Sequence, residues 1–213
     1  MNARIRRTTG LVSAAVMLPL ALSACSGSDS DSAKSDSKTS ASASAPESSA
    51  GMSTMDQPFG PGCASVPKNG AGSFDGMAKD PVATAASNNP ALSTLVAAVK
   101  KAGLVDTLNN AQNITVFAPT NDAFNKIPKA TLDKVLADKA QLTKILTYHV
   151  VGKKLAPKDL ENGSFDTLEK SKVMTSGMGE SYTVNDSSKV VCGNVKTANA
   201  NVYIVDTVLM PKS

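Results

Sequence analysis

His149, in the stretch "ILTYHVV" at 145–151, is the only histidine in the 213-residue chain. Imidazole is the side chain best suited to moving protons near neutral pH, so it is the first candidate for acid–base chemistry. A single imidazole excludes every site built on two. The chain also lacks a G-x-S-x-G nucleophile elbow, a phosphate-binding P-loop and an H-E-x-x-H motif. Two carboxylate pairs, Asp159 with Glu161 and Asp166 with Glu169, carry the residue types of a glycosidase. Both lie in polar stretches, where solvated surface is the simpler reading. Met174 and Met178, with Met52 and Met55 farther back, offer soft sulfur for copper(I), but ordinary packing and loop methionines explain them better. Gly177 and Gly179 around Met178 signal a turn. No catalytic residue, cofactor or metal is expected from this set.

The three cysteines divide into one and two. "MNARIRRTTGLVSAAVMLPLALSAC" has a basic start at Arg4, Arg6 and Arg7, an apolar stretch from Leu11 to Leu22, and small residues before Cys25. That is the build of a secretory signal, and it is short for a membrane-spanning helix, which needs roughly 18 or more apolar residues. Leu22-Ser23-Ala24-Cys25 also resembles the bacterial lipobox, in which cleavage precedes the cysteine and the thiol takes a diacylglycerol. An ordinary signal with an incidental cysteine is the competing reading. The Arg6-Arg7 pair leaves the export route, general or twin-arginine, open. If Cys25 carries lipid, Cys63 and Cys192 remain as a pair, and outside the cytoplasm the default for such a pair is a disulfide. It would close a loop of roughly 130 residues, for which chain entropy gives about 4 to 5 kcal/mol before strain. Metal binding by the two thiolates is the alternative, but neither has a second ligand nearby in sequence.

The formal charge of +4 is concentrated in the leader, because the chain's only arginines lie there. The remainder carries 19 lysines against 18 acids, interspersed. Without arginine it lacks the planar fork suited to phosphates and base edges, so no nucleic-acid partner is expected. Residues 25–59 are rich in Ser, Ala and Asp, with no apolar periodicity. They read as a disordered tether with a reach on the order of 30 Å.

The elements that must position these residues begin near Gly60. In "NNPALSTLVAAVKKAGL", Asn89 can cap a helix, Pro90 takes its first position, and Leu92, Leu95, Val96 and Val99 form an apolar stripe closed by Gly103. A short helix is expected before it, at 81–87. Ile114 to Phe117 reads as a strand stopped by Pro119, with a short helix from Thr120 or Asn121 to Pro128. Helices follow at 131–137 and 140–149. Beyond Gly152, short segments at 164–168, 172–175, 181–184, 189–196 and 201–208 alternate with turn residues and read as strands. Helices first and strands later argue for one α+β domain with helices packed on a mainly antiparallel sheet. Leu142, Ile145, Leu146 and His149 share one helical stripe. On that pattern the imidazole is the polar end of a core helix or part of a binding surface, with catalysis the least favoured role.

Three blocks together resemble the fasciclin domain: "TVFAPTNDAF" at 115–124, "ILTYHVV", and "ANVYIVDTVLMP" at 200–211. Within that family, "GPGCA", "DPVATAASNNPALSTL" and "VVCGNVKTANANVYIVDTVLMP" are most similar to the secreted and lipid-anchored surface antigens of mycobacteria and related actinobacteria. The resemblance implies a fasciclin domain over 60–213 with a β-sheet wedge, and it supports a Cys63–Cys192 disulfide. It further implies a non-catalytic adhesion module that binds a matrix protein, a cell-surface protein or lipid. In animal members the tyrosine-histidine region is linked to integrin binding, which points to Tyr148 and His149 as a candidate binding surface. The whole expectation is a signal peptide at 1–24, lipid on Cys25 holding a monomer to the membrane at the cell surface, a tether at 25–59 and the domain. A small-ligand carrier or enzyme with a pocket near His149 is the alternative.

Overall fold

The computed structural model describes residues 57–211; the expected signal peptide, Cys25 and nearly all of the tether lie outside them. A 3-10 helix at Pro61–Ser65 opens the fold, followed by α1 (Phe74–Met77) and α2 (Val82–Ser87). A 3-10 turn at Pro90–Leu92 leads into α3 (Ser93–Ala102), and α4 (Val105–Asn110) precedes strand β1 (Ile114–Pro119). Then come α5 (Asn121–Asn125), α6 (Lys129–Ala137), α7 (Lys139–Tyr148) and the two-residue β2 (Val150–Val151). After a 3-10 turn at Pro157–Leu160, β3 (Asn162–Asp166), β4 (Lys172–Met178), β5 (Ser181–Val184), β6 (Ser188–Lys196) and β7 (Ala200–Val205) complete the domain.

The strands form one sheet in the order β2-β1-β7-β6-β5-β4-β3. Only β1 and β7 run parallel; every other pair is antiparallel. The sheet's two ends meet, because Val151 bridges Thr167 and the Leu168 N–H donates to the Val150 carbonyl at 2.8 Å. A bulged β6, with Asn194 in the left-handed region, bends the sheet between them. The result is a barrel-like wedge with helices on one side, the α+β architecture expected from the order of helical and strand patterns.

Every residue of β1 and β7 is buried, as happens when both faces of a sheet are covered. Alternation along each strand then serves two cores. Val116, Ala118, Val202 and Ile204 face the helices and meet Leu92, Leu95, Val99 and Leu146. Phe117, Tyr203 and Val205 face the interior of the bent sheet with Val173, Tyr182 and Val184.

α3 follows its sequence pattern closely: the Asn89 side chain accepts from the Ala91 N–H, and Gly103 closes the helix with a φ of 76°. Its first turn is 3-10 rather than α. Pro119 ends β1 from inside, as its last residue opposite Val205, a position a proline tolerates at a strand terminus. α1, α4 and β2 carry no periodic signal because each is only two to six residues long.

Gln57 to Phe59 belong to the fold rather than to a free tether. Phe59 exchanges backbone hydrogen bonds with Gly193 and sets its ring 5.5 Å from that of Tyr182. A Cβ at Gly193 would collide with the Phe59 ring. Residues 57–59, expected as the end of the tether, are thus part of the fold, because pairing with Gly193 far along the chain leaves no mark in the local sequence. Next to this contact Cys63 and Cys192 are disulfide-bonded, Cα atoms 4.8 Å apart, tying the opening 3-10 helix to β6 across 129 positions of sequence.

Candidate functional site

His149 caps the C-terminus of α7 and is 2% exposed. Its Nε2 accepts from the Leu209 N–H at 3.0 Å, which leaves Nδ1 as the protonated nitrogen, and Nδ1 donates to the Ile145 carbonyl at 2.8 Å. The Phe117 N–H donates to the His149 carbonyl at 2.9 Å. One residue thus ties the end of α7 to β1 and to the segment after β7. Burial pushes the imidazole pKa down from 6.5 to about 4, against the upward pull of the Ile145 carbonyl. The group is neutral at physiological pH, and both nitrogens are committed to backbone.

Tyr148 turns the other way, into the core inside the sheet, and is 3% exposed. Its hydroxyl donates to the Lys172 carbonyl at 3.0 Å and accepts from Asn185 Nδ2 at 2.9 Å. Asn185 Oδ1 in turn accepts from the Met174 N–H. The expectation that Tyr148 and His149 form a binding surface is corrected here, since both side chains are interior. Helical periodicity marks the stripe shared by His149. It does not show that β4 and β5 cover the adjacent face as well.

The other sequence candidates resolve into structure. Asp159 accepts from the Ala156 N–H and caps a 3-10 turn; Asp166 pairs with Lys172 at 3.3 Å, and Glu169 with Lys144 at 3.6 Å. Met174 and Met178 are 59% and 77% exposed on β4, so packing does not explain them; strand alternation turns both to the solvent face. Among the described residues no group of three or more His, Cys, Asp or Glu could hold a metal ion, and no helix is long and apolar enough to cross a membrane.

Sequence reasoning missed the side chains that assemble the helical layer. Asn121, inside "TVFAPTNDAF", accepts from the Thr94 N–H and donates to the Pro90 carbonyl, capping α3 from a distance. Asn199, 7% exposed, accepts from the Val82 N–H at the start of α2 and donates to the Leu108 and Ala111 carbonyls at the end of α4. Asn199 sits in the turn between β6 and β7, in the polar run Lys196-Thr197-Ala198-Asn199, so its local pattern carries no signal for this role.

Between the helices and the sheet lies an apolar cavity of about 50 Å³, lined in part by Leu95, Val99, Val116, Ile204 and His149. No carboxylate lines it. Both nitrogens of the imidazole there are bonded to backbone.

Comparisons with known proteins point to one family for this helical layer on a bent sheet. The fasciclin domain family model fits residues 90–211. The immunogenic protein MPB70 of Mycobacterium bovis is 49% identical over 160 residues, covering 71% of this chain and 81% of that one. The cell surface glycolipoprotein MPB83 of the same species is 48% identical over 161 residues, 72% of each. Among solved structures, a FAS1 domain pair from the insect cell adhesion molecule fasciclin I superposes with a TM-score of 0.53 at 21% identity, over 64% of this chain and about half (52%) of that one. The chain belongs to the fasciclin domain family.

Proposed function

We propose that this protein is a lipid-anchored, cell-surface adhesion module that presents one fasciclin domain on a flexible tether and performs no catalysis. The observation that carries the reading is the 48% identity, over 72% of both chains, to a protein named a cell surface glycolipoprotein. The lipobox-like Leu22-Ser23-Ala24-Cys25 run and the Ser/Ala-rich stretch after it supply an attachment point and a spacer. One acyl chain holds a protein only marginally, whereas two or three give stable anchoring, so the diacylglycerol of a processed lipobox would keep the domain at the outer leaflet. The commitment of His149 to backbone supports a binding rather than an enzymatic role. The partner is a matrix protein, a surface protein or lipid, and it meets the outer face of the domain, because Tyr148 and His149 lie inside.

Two measurements test this. Cys25→Ser should move the protein from the membrane fraction to the medium, and unchanged membrane retention would reject the anchor. Cells expressing the wild-type chain should be retained on a matrix-coated surface at least twofold more than cells lacking it. Equal retention would reject the adhesive role.

A further inference from the structure

Large apolar side chains are rare on this surface, and those present are mostly methionine. Methionine ordinarily belongs with Leu, Ile, Val and Phe among the residues most often buried, yet the methionines of the described residues divide the other way. Met77 is in the core, whereas Met174, Met178 and Met210 stand in solvent, Met178 to 77%. With Leu168 they make up the exposed large apolar side chains among the described residues. Met174 and Met178 lie on the outer face of β4 with Ser176 between them, and their cross-strand partners are Ser164 on β3 and Ser181 on β5. Serine is too short to cover a thioether, so both sulfurs stay open to small solutes. Strand side chains stand roughly perpendicular to the sheet, and positions four apart are about 13 Å from each other along the strand. The two sulfurs therefore do not converge on one copper ion.

What remains is the chemistry of each thioether by itself. Among the described residues the cysteines are already joined as Cys63–Cys192, so no thiolate competes for an oxidant, and the chain has no tryptophan. The backbone beneath Met174 is fixed, because its N–H donates to Asn185 Oδ1 and its carbonyl accepts from the Asn185 N–H. A sulfoxide at Met174 or Met178 turns its oxygen to water and touches none of those bonds. At Met77 the same oxygen would be a polar group placed in the core. We propose that Met174 and Met178 are a reversible oxidation site for hydroperoxides, which the domain consumes at its surface while keeping its fold. In each event the Sδ lone pair attacks one peroxide oxygen, and the S–O bond forms as the O–O bond breaks. Sulfur is oxidised by two electrons, and the other peroxide oxygen takes the proton and leaves as water or an alcohol. A sulfoxide reductase with a dithiol returns the thioether, giving water and a disulfide. The site does not rest on the adhesion reading, so either can fail alone.

The test is peptide-resolved mass spectrometry of the purified chain carrying Cys25→Ser, exposed to hydrogen peroxide for graded times and quenched with catalase. Met174 and Met178 should each gain one oxygen at a rate within about threefold of a free methionine peptide, and at least about tenfold faster than Met77. At that stage the unfolding midpoint should equal that of the untreated chain. Sulfoxide reductases of both stereospecificities, with a thioredoxin-type dithiol as reductant, should then remove both oxygens. Met174→Leu with Met178→Leu should consume less peroxide in the fast phase than the parent, by two equivalents per chain. Met174→Gln with Met178→Gln serves the same comparison should the leucines cause aggregation. The proposal is overturned if Met77 reacts as fast as Met174 and Met178, or if oxidation at those two positions lowers the midpoint. It is also overturned if the reductases leave the sulfoxides in place, or if the folded double variants consume as much peroxide as the parent.

Discussion

At the scale of single residues, His149 shows how one side chain can look catalytic and act as a clasp. Its uniqueness draws attention, yet its two ring nitrogens serve Leu209 and Ile145. Truncation to alanine leaves the Leu209 N–H buried without an acceptor, which should cost about 1–3 kcal/mol in a urea unfolding series at pH 7.5. The same residue sets a pH dependence. The unfolded chain takes up its proton near 6.5, whereas the folded chain does so only near 4. Between those values the unfolded state binds more protons, so stability is full above about pH 6.5 and falls on acidification until about pH 4. The loss should approach about 3 kcal/mol, and His149→Ala should flatten the curve over that window; a wild-type curve already flat there would reject the buried neutral imidazole.

At the scale of elements, short helices that are weak alone are held by distant side chains. Isolated helices of six to ten residues are marginal in water, and α2, α3 and α4 all fall in that range. α2 and α4 share Asn199, while α3 is capped by Asn121 and its own Asn89. Asn199→Ala strips the Val82 N–H and the carbonyls of Leu108, Asn109 and Ala111 of their partner at once, with an expected loss of about 2–3 kcal/mol, measured by thermal unfolding. Hydrogen exchange should accelerate first in α2 and α4. Acceleration confined to β6 and β7 would contradict the role assigned to Asn199.

At the scale of the whole molecule, the sheet is closed by a bridge at Val151 and Thr167 and fastened to the opening 3-10 helix of the fold by Cys63–Cys192. The disulfide restrains a long loop in the unfolded state, so Cys63→Ser with Cys192→Ser should lower stability by about 4 to 5 kcal/mol less any native strain. Denaturant unfolding of the double variant checks this, and a change under about 1 kcal/mol would place the stabilisation elsewhere. Phe59, beside the bond, would then be exposed to faster proteolysis.

By itself the sequence determined the order of the longer elements, the α3 helix with its cap and glycine stop, the buried stripe ending at His149, and the family, because these rest on local periodicity and on contiguous blocks. Strands β4 to β7 were legible for the same reason, with ends shifted by a few residues. Only the tertiary structure decided which way Tyr148 faces, that residues 57–59 pair into the fold, why Asn121 and Asn199 matter, and that the Asn89 amide ends buried with an unpaired donor among the described residues. Each of those depends on a neighbour brought from far along the chain. Local pattern records whether a residue is apolar and how often it recurs, and it carries no record of what a folded partner places against the opposite face.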